Sequence, residues 1–282
     1  MSKISIITIN YNDLKGLKKT FNSIVNQSNK DFEYLVIDGG SSDGSKEFIN
    51  QNSDKLAYWI SEKDSGVYNA MNKGIKAAKG EYLLFLNSGD FLVDDNVIEK
   101  VIQNINSKHS FYYGNLFYSL DDKRTQLWTP PAKLTFSYFF EHSLPHPASF
   151  IKRDLFEKYF FYNEQLKIVS DWEFFIYCIC KMDESYKYID INIADFDNSG
   201  ISSVLNNRNI IQQEKEDILN KYFQHYIEDY KSFEDYETKR FKQIKIIKEN
   251  KFKWLLLKGL INILYISESN KKLDGKNYFK QL

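Results

Sequence analysis

Apolar runs of strand length alternate with helix-like stretches along the first 120 residues of the chain. Ile4–Asn10 and Phe32–Asp38 are rich in β-branched and aromatic residues, which is typical of buried strands. Between them, Leu14–Val25 repeats its apolar residues at helical spacing. This alternation predicts a mostly parallel sheet flanked by helices, an α/β architecture.

The pattern becomes less regular beyond this region. Further strands are predicted at 56–60, 81–86, 110–119 and 186–195, and further helices at 67–79, 93–106 and 170–181. Residues 121–133 are polar and contain Pro130-Pro131, so a loop is predicted there. From Asn206 onward the chain is charged and helical, with no strand pattern. We therefore expect an α/β domain over 1–205 and a helical, basic C-terminal extension over 206–282.

The C-terminal extension differs from the rest of the chain in its charge. The 282 residues include 38 basic and 38 acidic side chains, so the formal net charge is zero. Residues 239–282 contain 12 of the basic and 3 of the acidic ones. This balance argues against nucleic-acid binding by bulk charge but lets the tail seek an anionic membrane surface. The alternative is that the tail packs on the α/β domain or on a second copy, as a homodimer.

The cysteine content and the N-terminal sequence indicate the cellular compartment of the protein. Cys178 and Cys180 cannot form a disulfide framework, and four histidines add no evident zinc site. The chain enters its first strand without the apolar segment of an export signal. The longest apolar run, 254–266, is interrupted and shorter than the roughly 20 residues of a spanning helix. We expect a cytoplasmic protein, with peripheral contact at the inner face of the plasma membrane as an open alternative.

Polar clusters follow three of the predicted strands. Ligands of open α/β sheets bind beyond the carboxyl ends of the strands, where these clusters meet. Asp38 could accept a hydrogen bond from a base or ribose while Tyr11 stacks, and Asp90 suits a hard divalent cation. The alternative for Asp38, and more so for Asp43, is a turn-forming or helix-capping role. The sequence has neither a G-x-G-x-x-G motif after its first strand nor a G-x-x-x-x-G-K-[ST] phosphate loop.

Five segments, in order, resemble the inverting glycosyltransferases of family 2, which have the GT-A fold. They are residues 10–12, 36–45, 62–74, 80–82 and 86–90. The resemblance covers about residues 3–205. Within the family, the sequence is similar to the bacterial subgroup that builds surface polysaccharides. It implies transfer, with inversion, of a hexosyl or N-acetylhexosaminyl unit from a nucleotide-diphosphate donor, a UDP-sugar. The implied acceptor is a saccharide or lipid-linked saccharide, and the implied cofactor is Mn²⁺ or Mg²⁺.

The resemblance also implies roles for individual residues. The donor and nucleotide would be bound by Thr8, Asn10, Tyr11, Asn12, Asp38, Gly39, Asp64, Asn72, Lys73, Ser88 and Gly89. Asp90 would be the metal ligand and Asp171 the catalytic base. His146 and Trp172 would lie on the acceptor side, and residues 200–203 would return to the donor phosphates. From the residues alone, Asp171 equally suits a helix start, His146 a structural hydrogen bond, and Trp172 the core.

The sequence departs from the family pattern at two points. The acidic motif is reduced to Asn87-Ser88-Gly89-Asp90, with one carboxylate, and Met71 stands where many relatives have Arg. These departures support a rival interpretation, a non-catalytic sugar-nucleotide-binding or scaffold protein on a degenerate GT-A fold. A sugar-1-phosphate nucleotidyltransferase is disfavoured because residues 8–16 lack a Gly-rich, Arg-containing loop. No residue can be assigned to the choice of sugar.

Overall fold

The computed structural model describes residues 3–120, 123–197, 207–234 and 239–267. The chain forms two compact units, Met1–Phe223 and Gln224–Leu282. The predicted boundary near residue 205 falls in the undescribed stretch 198–206, as do the residues 200–203 that the resemblance places near the donor. The division into a 1–205 domain and a 206–282 extension stays a prediction.

The described strands and helices follow the predicted order closely in the first half of the chain. The strands are β1 (Ile4–Asn10), β2 (Phe32–Asp38), β3 (Tyr58–Ser61), β4 (Tyr82–Phe85), β5 (Phe91–Leu92), β6 (Phe111–Leu120), β7 (Lys123–Trp128), β8 (Ser149–Lys152) and β9 (Tyr186–Asp197). The helices are α1 (Leu14–Val25), α2 (Ser45–Gln51), α3 (Val67–Ala77), α4 (Val97–Asn104), α5 (Phe136–Glu141), α6 (Asp154–Lys158), α7 (Ser170–Ile176), α8 (Arg208–Glu234), α9 (Lys239–Lys248) and α10 (Lys251–Ser267). Helix α7 continues as a π-helical turn, and α8 has non-helical backbone angles at Phe223, where the two units divide.

One sheet organises the first unit, in the strand order β3-β2-β1-β4-β8-β6-β9-β5, with β7 paired to β6. Strands β3, β2, β1 and β4 are parallel to one another, and β6 is parallel to β9. Strand β8 pairs antiparallel with β4 and β6, β7 with β6, and β5 with β9. The α/β prediction is confirmed, although the sheet is more mixed than expected. Asn10 is in register with Asp38, and Asp38 with Ser61, so β1, β2 and β3 end side by side.

The loop predicted over 121–133 is wrong for residues 123–128, which form strand β7 and pair antiparallel with β6. Residues 129–133, with Pro130-Pro131, form the expected loop. The segment K-R-T-Q-L-W lacks the apolar alternation that marks a half-buried strand. Charged residues are common on edge strands, where they oppose pairing with other chains. The edge position of β7 therefore hid it from sequence analysis.

Helix α3 lies directly against strand β1 because Gly74 permits the approach. A Cβ at Gly74 would be 2.6 Å from Cγ2 of Ile7, a distance that real Cβ contacts do not reach. The helix thereby packs against β1 and β2. Its Lys73 side chain meets Glu62 and Asp64, which follow β3 in the chain.

The high aromatic content is mostly accounted for by the second half of the first unit. Phe156 and Phe174 stack with their ring centroids 4.3 Å apart, and Tyr162 meets both rings edge-on. Rings that interdigitate in this way bury large apolar areas. This cluster supports the start of α7.

Helices α9 and α10 pack on each other in the second unit. Across the described parts of the chain, no helix combines the length and the apolar character needed to cross a membrane.

Candidate active site

The side chain of Asn10 joins the ends of three parallel strands. Its Nδ2 donates to Oδ1 of Asp38 over 2.7 Å, and its Oδ1 accepts from the Ser88 hydroxyl over 2.8 Å. Asn10 is 1% exposed. An amide that donates and accepts across a buried edge fixes the relative positions of the loops that follow β1, β2 and β4.

Asp38 is the acceptor at the centre of this network. Its carboxyl receives hydrogen bonds from the Ser41 hydroxyl (2.6 Å), the Ser41 backbone N–H (3.0 Å) and the Ser61 hydroxyl (2.6 Å). Burial raises the pKa of Asp38, but the bonds from Ser41, Ser61 and Asn10 outweigh it and hold that pKa below its usual value. Both oxygens are engaged and the residue is buried. Asp38 therefore organises this edge, and its contact with a base stays a prediction.

An exposed surface lies beside this buried network. Tyr11 is 69% exposed, and a Cβ on Gly39 would be 3.1 Å from the Tyr11 ring and 3.2 Å from Oδ2 of Asp64. Asn12 has a positive φ of 51°, and its Oδ1 accepts from the Ser42 backbone N–H over 2.8 Å. The absence of a side chain at Gly39 lets the Tyr11 ring and the Asp64 carboxylate approach it closely. The exposed part of the Tyr11 ring is a surface on which a flat heterocycle can stack.

Asp43 has the structural role that was its alternative interpretation. Its carboxyl accepts from the backbone N–H groups of Leu14 (2.7 Å) and Ser45 (3.1 Å). It thereby satisfies the beginnings of both α1 and α2.

Lys73 on α3 is paired with two carboxylates. Its ammonium lies 2.6 Å from Asp64 and 2.7 Å from Glu62. Burial lowers the pKa of Lys73, but the bonds to Asp64 and Glu62 outweigh it and raise that pKa. The predicted donor residues Asp64 and Lys73 are thus brought together, next to Gly39. The ammonium of Lys73 is therefore shared between two carboxylates.

Gly89 and Asp90 lie deeper than the sequence suggested. Gly89 has a φ of +100°, and a Cβ there would be 3.0 Å from Oδ2 of Asp197. Asp90 is 3% exposed and accepts from the Asp197 backbone N–H over 3.0 Å. Burial, together with the neighbouring carboxyls of Asp197 and Asp195, raises the pKa of Asp90 to about 8. Backbone hydrogen bonds at Asp197 and Asn87 oppose this rise without cancelling it.

The donor set around Asp90 is of the right kind for Mg²⁺ or Mn²⁺, since it consists of carboxylate oxygens. Its arrangement does not fit such an ion, because the Asp90 carboxyl is enclosed and already accepts a backbone hydrogen bond. Over the described ranges, no group of three or more His, Cys, Asp or Glu side chains is placed to hold a metal.

Asp171 stands in the first turn of α7, partly exposed. The Tyr68 hydroxyl, from α3, lies 3.0 Å from Oδ1 of Asp171. The same hydroxyl contacts the carbonyl of Ile168 and accepts from the Ser170 backbone N–H over 3.0 Å. Tyr68 therefore fastens the start of α7 and orients the carboxylate that follows.

His146 lies in the surroundings of Asp171. Its ring stacks on Phe85 with centroids 4.7 Å apart, and its Nε2 is 2.9 Å from the Tyr162 hydroxyl. Burial lowers the pKa of His146, and the charge of Asp171 opposes the shift without reversing it. A neutral imidazole beside a carboxylate is able to accept or relay a proton.

Three of the residues predicted to contact donor or acceptor are buried and make structural contacts, and their ligand-binding roles stay predictions. Trp172 is 2% exposed and its indole N–H donates to the carbonyl of Phe139 over 2.7 Å, so its ring belongs to the core. Thr8 is fully buried, with its hydroxyl 3.1 Å from that of Tyr34. Asn72 is buried as well.

Asn72, on α3, forms hydrogen bonds with the segment that follows α6. Its Nδ2 donates over 2.8 Å to both the Tyr162 carbonyl and Glu164, and its Oδ1 accepts from the Tyr162 N–H over 3.0 Å. These bonds engage both the amide nitrogen and the amide oxygen of Asn72. Asn72 thus positions Tyr162, which in turn contacts His146.

Sequence analysis missed several residues that build the site. Tyr68 lies inside the recognised 62–74 segment, but no pattern in that segment distinguishes it from a core tyrosine. Lys215 of α8 lies with its ammonium 4.8 Å from the Trp172 ring, and burial lowers its pKa against the opposing charge of Asp171. Nothing in the charged pattern of α8 distinguishes Lys215 from its neighbours.

Comparison with known proteins identifies the family. The model of glycosyl transferase family 2 matches residues 5–168. The chain belongs to this family. An uncharacterized glycosyltransferase of Mycobacterium tuberculosis is 32% identical over 206 residues, covering 71% of this chain and 77% of that protein. A PGL/p-HBAD biosynthesis glycosyltransferase of Mycobacterium bovis is 29% identical over 201 residues, covering 70% and 77%.

Solved structures show that this family 2 protein has the GT-A-like fold. S. aureus TarS 1–349 superposes with a TM-score of 0.58 at 20% identity, covering 70% of this chain and 60% of that one. The mannosyltransferase PcManGT of Pyrobaculum calidifontis, solved with GDP-Man and Mn²⁺, has a TM-score of 0.52 at 14% identity, covering 69% and 56%. The chain therefore matches under two thirds of the length of these solved chains.

Proposed function

We propose that this glycosyltransferase transfers a hexosyl or N-acetylhexosaminyl unit from a UDP-sugar to a saccharide hydroxyl with inversion. The observation that carries the proposal is Asp171, a partly exposed carboxylate oriented by Tyr68 at the start of α7. TarS, a structural neighbour, has been solved with UDP-GlcNAc, which supports a UDP-sugar as the donor. The exposed Tyr11 ring beside Gly39 offers a face for the base.

In the proposed reaction Asp171 takes the proton of the acceptor hydroxyl while that oxygen bonds to the anomeric carbon. The bond from this carbon to the diphosphate oxygen breaks on the opposite side, and the nucleoside diphosphate leaves. An α-linked donor then yields a β-linked product. Lys73 is the cation next to the proposed donor surface, and Asp64 and Glu62 hold it in place.

A divalent cation stays a prediction for this chain. The neighbours PcManGT and GalNAc-T7 were solved with Mn²⁺, which supports it, whereas the buried Asp90 carboxyl does not. No step of the proposed transfer depends on a metal. Donor binding measured with and without Mn²⁺, in wild type and Asp90→Ala, decides whether an ion contributes.

The proposed acceptor is a saccharide or lipid-linked saccharide in bacterial surface polysaccharide synthesis. The Mycobacterium bovis relative is a PGL/p-HBAD biosynthesis glycosyltransferase, which supports a role in a biosynthetic glycosylation. We propose a cytoplasmic location, with the protein peripheral on the inner face of the plasma membrane. Cys178 and Cys180 are free thiols, which suits a reducing compartment.

The test compares wild type with Asp171→Asn. A panel of nucleotide sugars is first screened by thermal shift, and transfer or donor hydrolysis is then followed with the sugar that binds. Asp171→Asn should bind the donor like wild type and lose about 10²- to 10⁴-fold in kcat. Asp217→Asn, the same change at an exposed position on α8, is the matched control.

Two results would contradict the proposal. Equal turnover by Asp171→Asn and wild type removes Asp171 as the base. Donor binding by wild type without any turnover supports the rival interpretation, a non-catalytic sugar-nucleotide-binding or scaffold protein. NMR of the anomeric proton of the product tests inversion separately.

A further inference from the structure

Helix α10 carries a row of exposed apolar side chains. Phe252, Leu255, Leu256, Leu260 and Ile263, here called the apolar stripe, are each between 56% and 70% exposed. Phe252, Leu256, Leu260 and Ile263 follow one another at spacings of four, four and three residues, which places them on one side of the helix. Leu255, three residues after Phe252, borders this side. The stripe extends from Phe252 to Ile263, 12 residues that span about 17 Å of the helix axis.

The opposite side of α10 meets α9. Trp254 is only partly exposed, and the ammonium of Lys248, from α9, lies 5.9 Å from the centre of its ring. Lys258 approaches the same ring to 5.4 Å. Helix α10 is therefore apolar on two sides, and α9 covers only one of them.

The charge of this helix pair indicates what the apolar stripe binds. Helices α9 and α10 contain eight Lys or Arg residues and no Asp or Glu. A second copy of the chain would bring the same positive charges against them, which opposes self-association. An anionic lipid surface offers both the apolar phase and the complementary charge.

We infer that the apolar stripe is a membrane-binding face for anionic bilayers. Helix α10 lies in the plane of the interface, with the stripe at the boundary of the acyl chains. The lysines of α9 and α10 meet the lipid headgroups with their ammonium groups while their stems stay in apolar contact. The inference does not rest on the chemistry of sugar transfer, whose proposed residues belong to the first unit.

The test uses the full chain and vesicles of phosphatidylcholine, with or without phosphatidylglycerol. Wild type should co-float with the anionic vesicles and much less with the neutral ones. Leu260→Asp, which puts a charge into the apolar stripe, should weaken binding about tenfold or more. Asn262→Asp adds the same charge to α10 outside the stripe and should stay within about twofold of wild type.

A second variant protects the test against a folding defect. The double variant Leu256→Gln, Leu260→Gln keeps the charge and the helix propensity of α10, and it should also lose vesicle binding. Circular dichroism and donor binding without vesicles should match wild type for all variants. A defect in sugar transfer would therefore be visible apart from a defect in membrane binding.

Four outcomes overturn the inference. They are no binding of wild type to anionic vesicles, undiminished binding by the double variant, equal binding to neutral and anionic vesicles, and a wild-type dimer that Leu260→Asp converts to a monomer. The last of these would show that a second copy covers the stripe.

Discussion

The hydroxyl of Tyr68 lies 3.0 Å from the carboxylate of Asp171, although 103 residues separate them in the chain. Tyr68 belongs to α3, which Gly74 holds against β1, and Asp171 belongs to the first turn of α7. The proposed base is thus oriented by the same helix that carries Lys73. Five residues along α3, about 7.5 Å of helix axis, connect the two parts of the site.

Tyr68→Phe tests whether this contact serves catalysis. A hydrogen bond to a charged group contributes about 1.5–3 kcal/mol, so kcat should fall about ten- to hundredfold. The donor KM should change little, because Tyr68 does not contact the proposed donor surface. Steady-state kinetics measure both, with Tyr82→Phe as the control, since that buried hydroxyl donates to the carbonyl of His109 instead. An unchanged kcat would limit Tyr68 to a structural role.

Lys73→Ala should weaken donor binding. Removal of the ammonium leaves Asp64 and Glu62 unpaired beside an incoming diphosphate, and their repulsion should raise the donor KM by about tenfold. The effect should shrink as salt is added, because ions screen partly exposed charges. Lys100→Ala, which removes an exposed Lys–Asp pair elsewhere, is the control. A donor KM equal to that of wild type would exclude Lys73 from the donor site.

Asp38→Asn should destabilise the strand ends. Asp38 accepts from Asn10, Ser41 and Ser61, and an amide nitrogen in place of one oxygen confronts at least one of these donors with another donor. We expect a loss of about 2–4 kcal/mol in the free energy of unfolding, measured by urea titration. Asp54→Asn, at an exposed site, should be nearly neutral.

The lowered pKa of His146 predicts that the stability of the folded protein depends on pH. Its pKa is lowered in the folded state, so the unfolded chain binds the proton more tightly and protonation favours unfolding. The contribution is complete above about pH 6.5 and is lost as the pH falls below that value toward the lowered pKa. The lowered pKa of Asp38 acts in a separate window, below its usual value.

Urea titrations of His146→Gln check this origin. The variant keeps a partner for the Tyr162 hydroxyl but cannot take the proton, so its stability should fall less than that of wild type between about pH 7.5 and 5.5. Parallel losses in the two proteins would assign the effect to other groups.

Gly89→Ala should destabilise the first unit. Its φ of +100° is unfavourable for alanine, and the new Cβ would be 3.0 Å from the Asp197 carboxyl. We expect a cost of about 1–3 kcal/mol, seen as a lower midpoint in thermal unfolding. Gly259→Ala in α10, where a Cβ has open space, should instead be neutral or stabilise by up to about 1 kcal/mol. Equal effects of the two substitutions would contradict this account.

The sequence by itself determined the elements of the first half and the family motifs. β1, α1 and β2 have the predicted bounds because their periodicity is local and each buries one continuous apolar face. The sequence did not predict β7, because this edge strand has few apolar residues. The ends of the parallel strands were also predictable, since their carboxyl ends must share one edge.

Only the tertiary structure decided what the polar residues at that edge do. Asn10, Asp38 and Ser88 satisfy one another, and Asp90 is buried, because polar groups removed from water must find partners in distant segments. The pairing of Tyr68 with Asp171 has the same origin. Such contacts join residues far apart in the chain, so no local pattern encodes them, and burial separates the residues that organise the site from those that remain open to a substrate.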